Sequence, residues 1–489
     1  MSENYEAVIG LEIHAVMETQ SKMFCSCPVV DSTHAIPNDA VCPVCAGMPG
    51  MLPVLNKAAV EYALRVALAL NCEIQPQSIF ARKSYFYPDL PKGFQISQYE
   101  EPLAVNGYLD FESGGQEQRV SIRRVHLEED TGKLTHRQED ERRFSLVDLN
   151  RSGIPLLEIV TEPELHSPEA VRDFGYALRS LMRYLGVNSG NLEKGLLRLE
   201  PNISIRPKGS QEFFTRVEVK NLNSFRSVER SVGYELERQE AMVLAGEEIQ
   251  QQTLGWDDIA GKTLPQRSKE VAEDYRYFPE PDLPPLNLDM DWVAEIRASL
   301  PELPNTKRKR FINELALKEY DAAVLVADKE ISDFFEAALQ AAQTKDAKMI
   351  ANWVAGALFA KLNEQNQTLS ESQLTPEAFA QLMDLISEER VNAAGARQIL
   401  EALFDVQKSP AELMQELGLE QVSAVEDILA KITKLIEENP DQVSAYQGGR
   451  EELLNWFFGQ VMVAFQGKAN PKIVRETLQS EFAKFKPGD

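Results

Sequence analysis

The chain has 489 residues, too many for a single core, and its 43% hydrophobic and 26% charged residues are ordinary for a globular protein. Its formal net charge of −25, from 51 basic and 76 acidic residues, excludes a uniformly basic nucleic-acid-binding body, so any polyanion must dock on a local basic patch. No apolar run reaches the length of a membrane span and MSENYEAVIG lacks a basic-then-apolar leader, which points to a cytoplasmic protein with no membrane partner.

The first predicted element is a strand. In AVIGLEIHAVMET, Ile9, Leu11 and Ile13 alternate with Gly10, Glu12 and His14, so a period of two puts Glu12 and His14 on one face. That pair is either half of a hard-metal site or part of a solvated strand face. Next comes FCSCPVVDSTHAIPNDAVCPVCAG, in which Cys25 and Cys27, then Cys42 and Cys45, form two knuckles separated by fourteen residues. Such knuckles can close four sulfurs round a tetrahedral, structural zinc ion; the alternative is four reduced, buried thiols. A reducing compartment disfavours disulfides, and Cys72, alone after a helix, reads as a core thiol.

Residues 81–103, ARKSYFYPDLPKGFQISQYEEPL, carry four aromatics up to Phe94, three prolines, Lys83 and Lys92, a composition too rigid and chemically loaded for a spacer. Their Pro-Lys-Gly turn offers the Lys92 ammonium and backbone donors to an anion. After the strand-like RVSIRRV, HLEEDTGK sets Glu128, Glu129 and Asp130 side by side, and three adjacent acids either stand in solvent or share a cation. A helix is predicted over Ser167–Leu185, with Ser167 as cap, Pro168 in the first turn, Val171, Phe174, Leu178, Leu181, Met182 and Leu185 at helical spacing, and Gly186 as the stop.

Strands and helices mixed without regular βαβ alternation predict an α+β first domain, residues 1–294, on a large mixed antiparallel sheet. A proline-rich seam, EPDLPPLNL then LPELP, closes it near residue 304. Helical patterns follow, giving an all-helical domain at 295–407 and a helical tail at 408–489. In the tail, Val425, Ile428, Leu429, Ile432, Leu435 and Ile436 mark one amphipathic helix. Lys468, Lys472 and Arg475 gather at the GKANP turn, with Lys484 and Lys486 near the end, as a phosphate-meeting patch or a solvated helix face.

Taken in order, GLEIH, the paired cysteines, RKSYFYPDLPKGFQISQY, HLEEDTGK, NRSGIPLLEIV, VKNLNSFRSVERSVGYELERQ, RSKEVAEDYRYFPEPDLPPL and GKANPKIV resemble the GatB family of aspartyl/glutamyl-tRNA amidotransferase subunits over essentially the whole chain. The resemblance implies a catalytic cradle domain and a YqeY-like tRNA-binding tail. It also implies a carbon–nitrogen ligase that uses ATP and magnesium to phosphorylate the side-chain carboxylate of Glu-tRNA(Gln) or Asp-tRNA(Asn), which ammonia then amidates. Catalytic roles fall on Glu12, His14, Glu128 and Glu129, with Lys83 and Tyr85 along the ammonia path. Magnesium falls to Glu12, His14 and Glu129, with Glu200 as an outer ligand, and nucleotide or phosphate contacts to Lys92, Arg267, Lys269, Glu270, Tyr275 and Arg276. Contacts to tRNA fall on Lys468, Lys472 and Arg475.

The implied partners are misacylated tRNA and, completing a heterotrimer, an amidase-like glutaminase and a small third subunit. Consistent with an external ammonia source, the sequence shows no glycine- and serine-rich amidase block, and its paired cysteines are all in metal spacing. One departure stands at GLLRLEPNISIRP, Gly195–Pro207, where the family usually reads GSLRCDANVSVRP, so that Leu199 replaces Cys and Glu200 replaces Asp. Two rival readings are a stand-alone amide ligase for a free amino acid and a zinc-stabilised tRNA-binding scaffold. The first leaves the helical tail without a task, and the second leaves the acids without one.

Overall fold

The structure, a computed structural model, describes residues 4–140, 142–265, 275–422 and 424–484. Arg267, Lys269, Glu270 and Lys486 lie outside these residues. The chain divides into two compact units, Met1–Thr306 and Lys307–Asp489.

The first unit is α+β, the class expected from its patterning, and its frame is a nine-stranded mixed sheet. Tyr5–Val16 lies in the interior of that sheet because Ala7, Ile9, Leu11, Ile13 and Ala15, its odd-numbered residues, are all buried at 1% exposure or less. To one side follow Pro155–Thr161, Gln116–Glu129, Ala104–Ser113 and Glu73–Ile74; to the other, Leu197–Pro207, Val217–Lys220, Gln252–Asp257 and Lys262–Pro265. Every neighbouring pair is antiparallel except Val217–Lys220 with Gln252–Asp257. The odd face of the central strand shares a core with the helices Lys57–Ala69, Pro168–Tyr184 and Phe225–Leu244.

The helix Pro168–Tyr184 forms as its spacing predicts. Ser167 Oγ accepts the Ala170 N–H at 3.0 Å, and Gly186 ends the helix in the left-handed region at φ 65°. Cys72 is the buried thiol expected, pushed up to about 12 by burial. It packs where only glycine fits: a Cβ on Gly107 would lie 2.3 Å from the Cys72 sulfur. A short three-stranded sheet, Phe278–Pro279, Phe80–Ser84 and Phe94–Gln98, docks on the end of Gln116–Glu129, where Gln98 Oε1 accepts the Leu127 N–H at 3.0 Å.

The described residues of the second unit are helical but for an isolated bridge, Val422 to Ala469, and build two cores. One gathers Phe311 to Met414, the other Ile428 to Phe482. Packing moves the boundaries expected at 294 and 408. Val293 and Ile296 of the helix Met290–Ala298 belong to the first unit's core, and Leu413 and Met414 of Pro410–Glu416 belong to the core preceding the tail. Of the predicted tail helix, observed as Val425–Glu438, Ile428 and Ile432 are fully buried while Val425 is exposed. Among the described residues, no helix is long and apolar enough to cross a membrane.

Phe174 is fully buried against Phe111 in an edge-on ring pair at 5.5 Å. Phe174→Ala should therefore cost about 3–5 kcal/mol, against about 1 kcal/mol for Ser167→Ala. Urea denaturation of the full chain, followed by tryptophan fluorescence, checks the order.

Candidate functional site

Glu12 and His14 point to the face of the sheet opposite the helices, and strand register decides what meets them there. Glu12 stands opposite Glu200, and His14 stands between Arg198 on one neighbour and Glu158 on the other. Glu158 in turn pairs with His126. A single row, Arg198–His14–Glu158–His126, thus crosses four strands. Glu128 joins from two residues beyond His126, as the period of two requires.

The atoms converge tightly. His14 Nε2 lies 3.4 Å from Glu158 Oε2, 3.5 Å from Glu128 Oε1 and 3.7 Å from Glu12 Oε1, and His126 Nε2 lies 3.3 Å from Glu158 Oε2. Two sets of ligand atoms, Glu12–His14–Glu200 and His14–Glu128–Glu158, each fall within 4.8 Å. Glu128, Glu158 and His126 are buried. His14 Nδ1 and His126 Nδ1 are buried with no partner among the described residues. Oxygen-rich donors with one imidazole suit a hard divalent cation such as magnesium or manganese, and this donor set fits one.

The charges explain why the cluster can exist. Burial alone would lower the His14 imidazole, but its hydrogen bond to Glu158 and the surrounding carboxylates raise it to about 9. Burial and the nearby Glu158 carboxylate raise Glu12, whereas Glu158 is drawn well below its ordinary value, against its burial, by His126 and His14. Glu200 is lowered, again against burial, by Lys220, whose Nζ lies 2.8 Å from its Oε2. Arg124 reaches Glu158 Oε1 at 3.5 Å, and Ser97 Oγ donates to Glu128 Oε2 at 3.2 Å.

The three acids of HLEEDTGK neither stand in solvent nor share one partner. Glu128 enters the cluster, Asp130 is held by Arg198 at 2.6 Å and Arg151 at 3.4 Å, and Glu129 turns away. Glu129 accepts from Lys92 and from the Ile96 N–H, on the wall of a cavity of about 290 Å³ that Cys45 and Arg82 also line. The expected magnesium role of Glu129 is corrected accordingly: its parity on the strand is opposite to that of Glu128, and Glu158 takes the place assigned to it. Lys92 is likewise tied to that carboxylate.

Lys83 is buried close enough to Glu128 and Glu158 that they hold its ammonium well above the ordinary value despite burial. Its Nζ lies 4.8 Å from the centre of the Tyr275 ring, and Tyr85 packs edge-on against the same ring at 5.8 Å. Arg276, next in the chain, is exposed, with a left-handed φ of 44°. The four knuckle cysteines meet with all sulfurs within 4.8 Å; Cys45 Sγ is 4.0 Å from Cys27 and 3.9 Å from Cys42. A hydrogen bond from Cys25, together with the Cys42 N–H and the Lys22 ammonium, pulls the Cys45 thiol down to about 4. These separations fit four thiolates round one zinc ion, with Zn–S of about 2.3 Å. In the tail, Lys472 and Arg475 are exposed and Lys468 is half-buried.

Residues 7–294 match the GatB/GatE catalytic domain model, and residues 333–482 match the GatB domain model. The corresponding subunits of aspartyl/glutamyl-tRNA(Asn/Gln) amidotransferases are similar over nearly the full length. That of Persephonella marina is 48% identical, over 97% of this chain and 99% of its own, and that of Roseiflexus castenholzii is 46% identical, over 98% and 100%. That of Thermodesulfovibrio yellowstonii is 47% identical, over 97% and 98%. The chain belongs to this GatB family.

Within the family match, sequence reasoning missed Glu158, His126 and Lys220. Glu158 had a signal: in the strand PLLEIVT it is the one charged residue, and a glutamate set in an apolar run needs a buried partner. His126 and Lys220 had none, because their partners come from other strands. Glu158→Gln should weaken manganese binding to the purified chain by at least about tenfold, and Glu129→Gln should leave it near wild type. Electron paramagnetic resonance titration of free manganese measures both, and equal losses would defeat the division of roles between the two acids.

Proposed function

We propose that this chain is the ATP-dependent component of a tRNA-dependent amidotransferase and phosphorylates the side-chain carboxylate of glutamate or aspartate carried by tRNA(Gln) or tRNA(Asn). The observation that carries the reading is the buried cluster of Glu12, His14, Glu128, Glu158 and Glu200, in a chain similar over nearly its full length to subunits of enzymes of that name. A carboxylate is a poor electrophile because attack would have to expel oxide. Transfer of the γ-phosphoryl group to a carboxylate oxygen gives an acyl phosphate, and ammonia then forms the C–N bond as the C–O bond to phosphate breaks.

Glu12, His14, Glu128, Glu158 and Glu200 would hold magnesium, which when bound offsets the charge of the ATP phosphates. The chain's own groups do the rest by placement. His126 and Arg124 orient Glu158, and Lys220 orients Glu200. Lys83 supplies a buried positive charge beside Glu128 for phosphoryl oxygens, and with Tyr85 it flanks the side from which ammonia would arrive. Tyr275 and Arg276 lie on that flank as nucleotide contacts, and Lys92 sets the charge of the cavity wall through Glu129. The cysteine cluster takes structural zinc. Ammonia comes from an amidase-like glutaminase assembled with a small third subunit, and the tail meets tRNA phosphates through Lys468, Lys472 and Arg475.

Assembled with the glutaminase and the small third subunit, and given misacylated tRNA, the wild-type chain should hydrolyse ATP in a tRNA-dependent way. Glu158→Gln should lower that rate by about 100-fold or more without weakening tRNA binding. Equal ATP hydrolysis with free glutamate in place of the aminoacyl-tRNA would instead favour a stand-alone ligase. Removing residues 424–489 spares Leu413 and Met414 of the preceding core. It should raise the KM for tRNA strongly with little change in kcat. The truncation should also flatten the salt dependence of tRNA binding by a log–log slope of about 2 to 3, as loss of three phosphate contacts implies. Steady-state titration of tRNA at several salt concentrations tests this, and an unchanged KM would make those basic residues a solvated helix face.

A further inference from the structure

Lys22 is fully buried, the largest of the polar residues with no exposed surface. An ammonium taken out of water costs several kcal/mol unless an anion meets it. Among the described residues, its hydrogen-bond partners are Cys45 Sγ at 3.5 Å and the Leu149 carbonyl at 3.1 Å. Glu129, which approaches the same wall beside Gly153, is already bound by Lys92. A neutral thiol and a carbonyl do not balance a full charge.

The position is built rather than incidental. The Lys22 N–H donates to the Cys27 carbonyl at 2.9 Å, and its own carbonyl accepts from Asn56 Nδ2 at 3.2 Å. Its stem runs past Gly153, where an added Cβ would touch both the Lys22 stem and Cys45. The Cys42 N–H also aims at the Cys45 sulfur, at 3.2 Å. Four thiolates round a divalent ion carry a net charge of −2, and a buried ammonium halves it.

We propose that Lys22 is the built-in counter-ion of a metal–thiolate centre at Cys25, Cys27, Cys42 and Cys45, and that it sets how tightly the metal is retained. This rests on the cysteines being zinc ligands and adds a residue outside the ligand set. Removing an outer partner of a metal centre commonly costs 10- to 100-fold in affinity. A neutral residue at position 22 would therefore weaken the zinc-loaded protein while relieving the zinc-free one of an unpaired buried charge.

The test uses the full-length chain, with zinc as the only added metal. Lys22→Met removes charge and hydrogen bonds, and Lys22→Gln keeps a donor without the charge, so either variant alone can decide the matter should the other fail to fold. Competition with a chromophoric chelator should show zinc dissociation constants raised at least about tenfold in both. Thermal unfolding should show the variants less stable than wild type with zinc and no less stable than wild type after chelation. Wild-type zinc affinity in either variant, or the same loss of stability with and without zinc, would overturn the counter-ion role. Wild-type protein that binds no zinc would overturn the metal reading beneath it.

Discussion

Because side chains alternate across a pleated strand, the pairing of Glu12 with Glu200 and of His14 with Glu158 commits four strands at once. A slip of one residue in Tyr5–Val16 would send Glu12 and His14 into the helix-packed core and bring Leu11 and Ile13 to the acid face. The buried residues of the odd face therefore guard the site. Each apolar side chain under the helices holds a carboxylate or imidazole in place on the other face. Core packing and site geometry are two sides of one constraint, and it is strongest at Glu158, whose strand is apolar on both of its faces.

Gathering Glu12, Glu128, Glu158 and Glu200 on one face would be prohibitive without compensation. The structure supplies it in layers: His14 and His126 against Glu158, Lys220 against Glu200, and Lys83 near Glu128. The His14 imidazole, raised from 6.5 to about 9, contributes stability that is full below its unfolded value and lost as pH rises through about 9. A proton on His14 and a divalent cation in the cluster answer the same need, and one can replace the other. The site is thus a negative cavity awaiting positive charge, which is the condition for holding a metal that must also meet a polyphosphate.

Much of this was legible in the chain, and the parts that were not share a physical reason. The strand at Glu12 and His14, the capped helix from Pro168 and the four-cysteine knuckles rest on spacings within one segment, and local spacing is what a sequence displays. Adjacency in HLEEDTGK misled for a local reason too: neighbours on a strand point to opposite faces, so Glu128 and Glu129 part company, and the turn takes Asp130 to Arg198 and Arg151. Glu158 and Lys220 acquire their meaning only from cross-strand register over long separations. The expected boundaries shifted because a proline-rich seam and an amphipathic tail do not say which core the intervening helices choose.

The cysteine knuckles and the acid cluster are joined through the ends of the same strands. The Met17 N–H bonds the Pro155 carbonyl at 2.9 Å, the Met23 N–H bonds the Gly153 carbonyl at 2.7 Å, and the Gly153 N–H bonds the Asp130 carbonyl at 2.9 Å. Ser152 Oγ donates to the Cys45 carbonyl at 3.1 Å. The strand carrying Glu12 and His14 thus runs into the knuckle, the strand carrying Glu158 begins against it, and the turn after Glu128 and Glu129 closes beside it. A metal held by the four sulfurs would pin three strand ends at one point, and through them the register that brings His14 opposite Glu158. In this reading, zinc and its counter-ion Lys22 take no part in phosphoryl transfer, yet they act on the acid cluster through the backbone that both share.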